Sequence, residues 1–296
     1  HATGLLITLL CLTLFFSSFS LAEKKPLAAD LVKDDQIIDV SSQPYQELFS
    51  ELTETHGFQQ NELDQLFDGI TIHRKVLVLM DKQWEAKPYY EYWPIFITPS
   101  VISTGKRKIH EHREILDRIE QEIGVEKEIV VAIWAIESRY GSHKGRYNVF
   151  RTLNTLFAAY PRRAAFFREE LVHFLLLCRE NNLDPNTIKG SYAGAFGQTQ
   201  FISSSFRKYA LDFDDNGKRD VFKSTDDILA SIANYLHSFG WKLGEPVYQE
   251  IGKELKSSGL KTTYDRGRKG RISVEEVNIA QGLDLPTPYQ NKLLSI

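Results

Sequence analysis

The chain has 296 residues, 42% of them hydrophobic and 25% charged with both signs interspersed, which is enough apolar sequence for a substantial buried core and excludes disorder as the main state. Its formal net charge of −3 supplies no field that would gather a polyanion. The short basic clusters at 106–108 and 266–271 lack interleaved aromatics and read as solvated loops, so no nucleic acid is expected as a partner.

Residues 5–16 are almost wholly apolar and uncharged, yet too few to span a bilayer, and Ser20-Leu21-Ala22 puts small residues at −3 and −1 of a cleavage point before Glu23. Residues 1–22 therefore read as a signal peptide that directs the chain to the periplasm. No basic stretch precedes the apolar run and the sequence opens on His1, so a few upstream residues are expected. Of the two cysteines, Cys11 falls inside the signal, leaving Cys178 without a partner for a disulfide. A lipid anchor on Cys11 is disfavoured by the bulk of Leu10 before it.

Residues 23–44 are polar and aperiodic and read as a flexible leader. Helical spacing then dominates: 45–56 up to Gly57, shorter helices at 63–67 and 76–79, and 111–123 with Ile115, Ile119 and Ile123 in phase. Residues 125–136, apolar without a break from Ile129 to Ile136, are long enough for a buried central helix, although their β-branched content leaves a strand open. Residues 162–180 have a 3.6-residue period closed by Asn181-Asn182, and this helix is expected to pack on the central one. Asp184-Pro185 restarts a turn or short helix, and Ser224 caps a helix running to Phe239 and ended by Gly240. With no repeat and no βαβ alternation, the fold class is mainly α with long functional loops.

Three constellations carry chemistry. In the first, residues 135–141 (Ala-Ile-Glu-Ser-Arg-Tyr-Gly), the carboxylate of Glu137 ends an apolar helix. Burial there would raise its pKa, as a general acid near neutral pH requires, whereas the bland alternative is an ion pair with Arg139 or Arg146. In the second, residues 190–201 (Gly-Ser-Tyr-Ala-Gly-Ala-Phe-Gly-Gln-Thr-Gln-Phe), small residues allow close approach of a ligand. Ser191 and Gln200 offer sugar-binding hydroxyl and amide groups, and the aromatics suit pyranose faces. In the third, residues 212–218 (Asp-Phe-Asp-Asp-Asn-Gly-Lys) begin like an EF-hand, with oxygen ligands at positions 1, 3 and 5 and Gly at 6, but position 12 is Lys223 where that loop carries Glu. An Asx-rich turn is the alternative.

The Glu-Ser-Arg-Tyr-Gly segment, the Tyr160-Pro161-Arg162-Arg163 segment and the Gly-Ser-Tyr-Ala-Gly-Ala loop resemble the lytic murein transglycosylase B family. The match runs from about Tyr45 to Trp241. It includes Tyr89-Tyr90-Glu91-Tyr92, Phe96-Ile97-Thr98-Pro99 and Ala233-Asn234-Tyr235 in the family's order and approximate spacing.

The resemblance implies a lysozyme-like catalytic domain over 45–245 with a helical N-terminal extension and an EF-hand-like loop. Glu137 would protonate the oxygen between N-acetylmuramic acid (MurNAc) and N-acetylglucosamine (GlcNAc) in peptidoglycan glycan strands, then act as base while the muramic acid O6 closes a 1,6-anhydro ring, with no cofactor for catalysis. Ser191 and Gln200 would contact the sugar beside the cleaved bond, Tyr92 and Tyr235 would line the groove, and Arg162 or Arg163 would face the peptide side. The family closes its ion loop with an Asp of the next helix, which makes Asp212, Asp214, Asn216, the Lys218 carbonyl and Asp227 (or Asp226) the expected holders of a structural Ca²⁺. The chain is expected to be monomeric and to work beside other cell-wall enzymes.

Departures from the family are Phe166 where some members have Tyr, and Ser203 in place of a common Pro. The family also continues past residues 282–286 with a Tyr-rich segment that completes the groove, so 246–296 reads as an incomplete C-terminal segment. A lysozyme-type hydrolase and an inert glycan-binding protein are the rival readings.

Overall fold

The computed structural model describes residues 27–82, 93–245, 250–252, 254–285 and 293–294. Three helices come first: α1 (Gln43–Glu54), α2 (Gln60–Phe67) and α3 (Arg74–Asp81). Tyr45, Leu48, Phe49 and Leu52 recur at i, i+3, i+4 and i+7 of α1, and all are buried. Part of the expected leader is not loose. Ala29 and Ile38 are core residues, Ile37 bridges Thr71, and Arg74 donates Nε–H to the Ala29 carbonyl at 2.7 Å. These few apolar residues, spaced without period, gave the sequence no signal.

Next come α4 (Pro99–Glu111) and α5 (Arg113–Ile123), which break at His112 where a single helix over 111–123 was expected. The basic cluster 106–108 lies in α4, not in a loop, because Thr98 caps the helix by accepting from the Val101 amide and Pro99 stands in its first turn. The apolar run forms α6 (Lys127–Ser138), a helix and not a strand, which packs between α4 and α10 (Thr225–Ser238).

Asn148 accepts from the Arg151 amide at 2.7 Å and so starts α7 (Val149–Ala159), a helix not foreseen from the sequence. A 3₁₀ turn over Pro161–Arg163 leads into α8 (Ala164–Glu180). This helix packs on α7 and α9 (Ser203–Tyr209) instead of on the central helix. Its buried Glu170 accepts from the amide and hydroxyl of Ser204 at 3.0 and 2.6 Å, satisfying the start of α9. Asp184-Pro185 forms a turn without a helix, in which Asp184 accepts from the Asn186 amide.

Strand β1 (Tyr147–Asn148) pairs antiparallel with β2 (Lys189–Gly190), in register Tyr147 with Gly190, and so fastens the segment after α6 to the glycine-rich loop. The core runs through Phe150, Phe174, Phe196 and Phe206, with Phe196 stacked on Phe222 at 5.7 Å. Phe196 is thus an anchor and not the sugar platform expected of the loop's aromatics. Cys178 is buried, and burial with help from Asp184 pushes its thiol up to about 12, so it is unreactive.

Helices α11 (Ser258–Asp265) and α12 (Val274–Gln281), with the pair β3 (Ile272–Ser273) and β4 (Leu293–Leu294), gather a second small core of Leu260, Ile272, Val274, Val277 and Leu285. Among the described residues no helix is long and apolar enough to cross a membrane.

Candidate active site

Helix α6 delivers Glu137 to the wall of a cleft of about 290 Å³ lined by Ile133, Thr199, Gln200, Ile232, Tyr235 and Leu236, together with Phe201, Ile202 and Ser205. The lining follows from helical spacing. Ile133 lies one turn before Glu137 on the same face, and Ile232, Tyr235 and Leu236 fall at i, i+3 and i+4 of α10. These apolar walls remove part of the hydration shell of the Glu137 carboxylate and raise its pKa above the ordinary carboxylate value. The side chain is nevertheless exposed towards the cleft, so the expectation of a buried acid is corrected to one desolvated by its walls and open on the ligand side. Among the described residues no side chain is ion-paired or hydrogen-bonded to its carboxylate, and Arg139 and Arg146 are not its partners.

The end of α6 is held rigidly. Arg139, Tyr140 and Gly141 all have left-handed φ, at 47°, 57° and 83°, and the two non-glycine residues store strain that the surroundings must offset. The Ser138 hydroxyl accepts from the Gly141 amide at 3.1 Å, and Tyr140 donates to the Val101 carbonyl at 2.8 Å. Trp134 donates Nε1–H to Gln198 Oε1 at 2.8 Å, while Gln198 Nε2 donates to the Phe222 carbonyl at 3.1 Å. This bridge ties the acid's helix to the glycine-rich loop and onward to the segment after the acidic loop.

Gln198, Trp134 and Ile133 had not been singled out from the sequence. The signal for Ile133 was its i−4 relation to Glu137, whereas the Trp134–Gln198 bridge spans 64 residues and left no local trace. Thr199 lines the cleft with its hydroxyl buried and unpartnered among the described residues.

Of the residues proposed to bind sugar, Gln200 and Tyr235 join Glu137 in the cleft. Gln200 has φ 49°, and its amide donates to the Gly197 carbonyl at 2.9 Å. Ser191 does not line the cleft; its hydroxyl accepts from the amides of Ala193 and Ala195 at 3.3 and 3.1 Å and shapes the loop. Tyr92 lies outside the described residues. Arg162 and Arg163 lie away from the cleft lining. Arg162 donates to Asp81 at 3.1 Å, and the Arg163 guanidinium sits 4.1 Å from the Phe166 ring centre. The loop's closeness to the acid's helix is enforced at Gly145, where φ is +84° and an added Cβ would meet the Gly190 carbonyl carbon at 2.0 Å. Gly145→Ala is expected to cost about 1–3 kcal/mol of stability, read as a fall in melting temperature.

In the acidic loop, Asp212, Asp214 and Asp227 each bring one carboxylate oxygen within 4.8 Å of the others. Asp227 is fully buried and accepts from the amides of Phe213, Asp214 and Asp220 at 2.7, 3.4 and 2.7 Å. Its pKa is raised, first by burial and also by the Asp214 charge. Among the described residues no Lys or Arg neutralises the three carboxylates, so the donor set fits a hard divalent cation. Asn216 donates its backbone amide to Asp212 at 3.0 Å, which bends the loop, and Asp226 takes no part in the cluster.

Comparison with known proteins decides the lineage: residues 41–292 match the family model described as the transglycosylase SLT domain. The chain belongs to this family. It is 33% identical over 256 residues to the membrane-bound lytic murein transglycosylase B of Escherichia coli (strain K12), covering 83% of this chain and 69% of that protein. The solved structure of the Escherichia coli lytic transglycosylase Slt35 in complex with calcium is similar at 32% identity and a TM-score of 0.72, covering 86% of this chain and 80% of that one. SltB3 from Pseudomonas aeruginosa, solved in complex with NAG-anhNAM-pentapeptide, is 30% identical with a TM-score of 0.69, covering 85% of this chain and 68% of that one. The mainly α, lysozyme-like fold read from the sequence is that of these lytic transglycosylases.

Proposed function

We propose that this chain is a peptidoglycan lytic transglycosylase that cuts the MurNAc–GlcNAc β-1,4 bond with Glu137 as its only acid and base. The observation that carries this reading is that Glu137 is the sole carboxylate among the described residues lining the cleft. A hydrolase of ordinary type needs two carboxyl groups about 5–9.5 Å apart, one of them to act as nucleophile or to activate water. One carboxyl suffices if the nucleophile is already part of the sugar. Glu137 gives its proton to the bridging oxygen as the bond from C1 breaks. The carboxylate then takes the proton of the muramic acid O6 as O6 bonds to C1, and the acid is regenerated without consuming water.

Gln200 and Tyr235 hold the sugar beside the acid, the loop that carries Gln200 is shaped by Ser191, and Arg162 or Arg163 faces the peptide side. Digestion of purified sacculi followed by mass spectrometry tests the reading. Anhydro-MurNAc ends are expected; reducing ends would make the enzyme a lysozyme-type hydrolase, and binding without release an inert glycan-binding protein. Because the acid must be protonated at the start of the cycle, the cleavage rate should fall as pH rises through the elevated Glu137 pKa. A rate that climbs steadily with pH would contradict the role.

Asp212, Asp214 and Asp227, with Asn216 and the carbonyl of Lys218, would hold a structural Ca²⁺ that neutralises converging charge and takes no part in the reaction. Chelation is expected to lower the melting temperature, since an ion held only by the folded state stabilises it by mass action. Identical melting curves with and without chelator would remove the site. The organisation is a signal peptide over 1–22, a catalytic domain over 45–245 and a C-terminal segment over 246–296, acting as a monomer on glycan strands in the periplasm.

A further inference from the structure

A second depression, of about 600 Å³, lies between β2, the turn after α8 and the segment following the acidic loop. Its lining includes Lys144, Lys189, Lys218, Arg219 and Lys223 against a single acid, Asp220, in a chain whose net charge is −3. The acid is spent internally, because Asp220 Oδ1 accepts from the amides of Phe222 and Lys223 at 2.8 and 3.0 Å. Arg219 is partly neutralised by Glu180 at 3.2 Å. The four lysines are exposed, and among the described residues none is ion-paired. The floor is stiff: Lys189 sits in the β1–β2 pair, and Gly145 is pressed against Gly190.

This groove adjoins the cleft of the acid. Gln200, which lines the cleft, donates Nε2–H to the carbonyl of Lys144, which lines the groove, at 3.5 Å. Four uncompensated ammonium groups beside a polysaccharide site match an anionic substituent of the polysaccharide itself. The peptide stem on the muramic acid lactyl group is such a substituent, because it carries free carboxylates.

We infer that the lysine groove formed by Lys144, Lys189, Lys218 and Lys223 binds the carboxylates of the peptide stem and makes the enzyme prefer stem-bearing strands. The inference rests on the transglycosylase reading above and adds to it a specificity site whose lining includes neither Arg162 nor Arg163. Flexible lysines suit this task, since they attract carboxylates of varied placement without demanding a fixed bidentate geometry.

The test compares strands that keep their stems with the same strands stripped by an amidase, using the full chain and its Lys189→Glu/Lys223→Glu double variant. Both side chains are exposed, and neither lines the acid's cleft. The variant is expected to raise KM on stem-bearing strands by on the order of tenfold while leaving kcat and the rate on stripped strands unchanged. The corresponding double Gln variant should fall between. The wild-type preference should also shrink as salt is raised, because exposed charges are screened.

Equal loss on both kinds of strand, or no loss on either, overturns the groove while leaving the transglycosylase reading intact. A wild-type chain that cuts neither strand overturns that reading and this inference with it. Binding to anionic phospholipid vesicles that the variant loses, with no stem preference in cleavage, would assign the groove to a membrane surface and overturn the inference.

Discussion

Replacing Glu137 by Gln is expected to lower glycan cleavage by about 10²- to 10⁴-fold, with the fold and sacculus binding intact and thermal stability equal or higher. The amide has nearly the same shape but can neither release a proton to the glycosidic oxygen nor recover one from O6. The stability arm follows from the raised pKa of Glu137. Ionising the carboxyl costs more in the cleft than in the unfolded chain. The stability linked to the protonated group is therefore fully present below the ordinary carboxylate pKa and is lost as pH rises through the elevated one. Gln does not ionise, so variant and parent should melt alike at acid pH and diverge in the variant's favour above it. Turnover of the variant within a few-fold of the parent would mean that another residue supplies the proton.

Asp227→Ala is expected to remove about 3 kcal/mol of stability, a fall in melting temperature of about 6–12 °C. Three backbone amides, from Phe213, Asp214 and Asp220, lose their acceptor at once. A buried or partly buried donor left unpaired costs its desolvation in full. Most of the loss should therefore persist in chelator, which separates the scaffolding role of this carboxylate from its role as an ion ligand. A variant that matches the parent once both are stripped of metal would show that the ion, and not the amide bonds, is the whole of its contribution.

Much of this was legible in the sequence, for identifiable reasons. Glu137 stood out because a charge at the end of the apolar run from Ile129 to Ile136 is expensive, and α10 was legible from Ser224 at its start and Gly240 beyond its end. The partner of Glu137 in the cleft, Tyr235, followed from family resemblance and not from spacing. Helix α7 was less legible, although Asn148 and the pattern Val149, Phe150, Leu153, Leu156, Phe157 announce it, because the buried polar residues Thr152, Asn154 and Thr155 interrupt its apolar face. The cleft around Glu137, open on one side where burial was expected, could not be read: its walls come from α6, the glycine-rich loop and α10, and their meeting depends on long-range contacts such as the bond between Trp134 and Gln198. The basic groove was invisible for the same reason, since Lys144, Lys189 and Lys223 are each unremarkable in their own stretch of chain.

Helix α10 carries Asp227 in its first turn and Tyr235 near its far end, eight positions and about 12 Å apart along one axis. A straight rod of that length does not bend easily, so its two ends cannot be tuned separately. Loosening the proposed ion site at the near end would therefore swing the phenol at the other, and the proposed hold on a sugar ring would be calibrated by a loop that does not line the cleft.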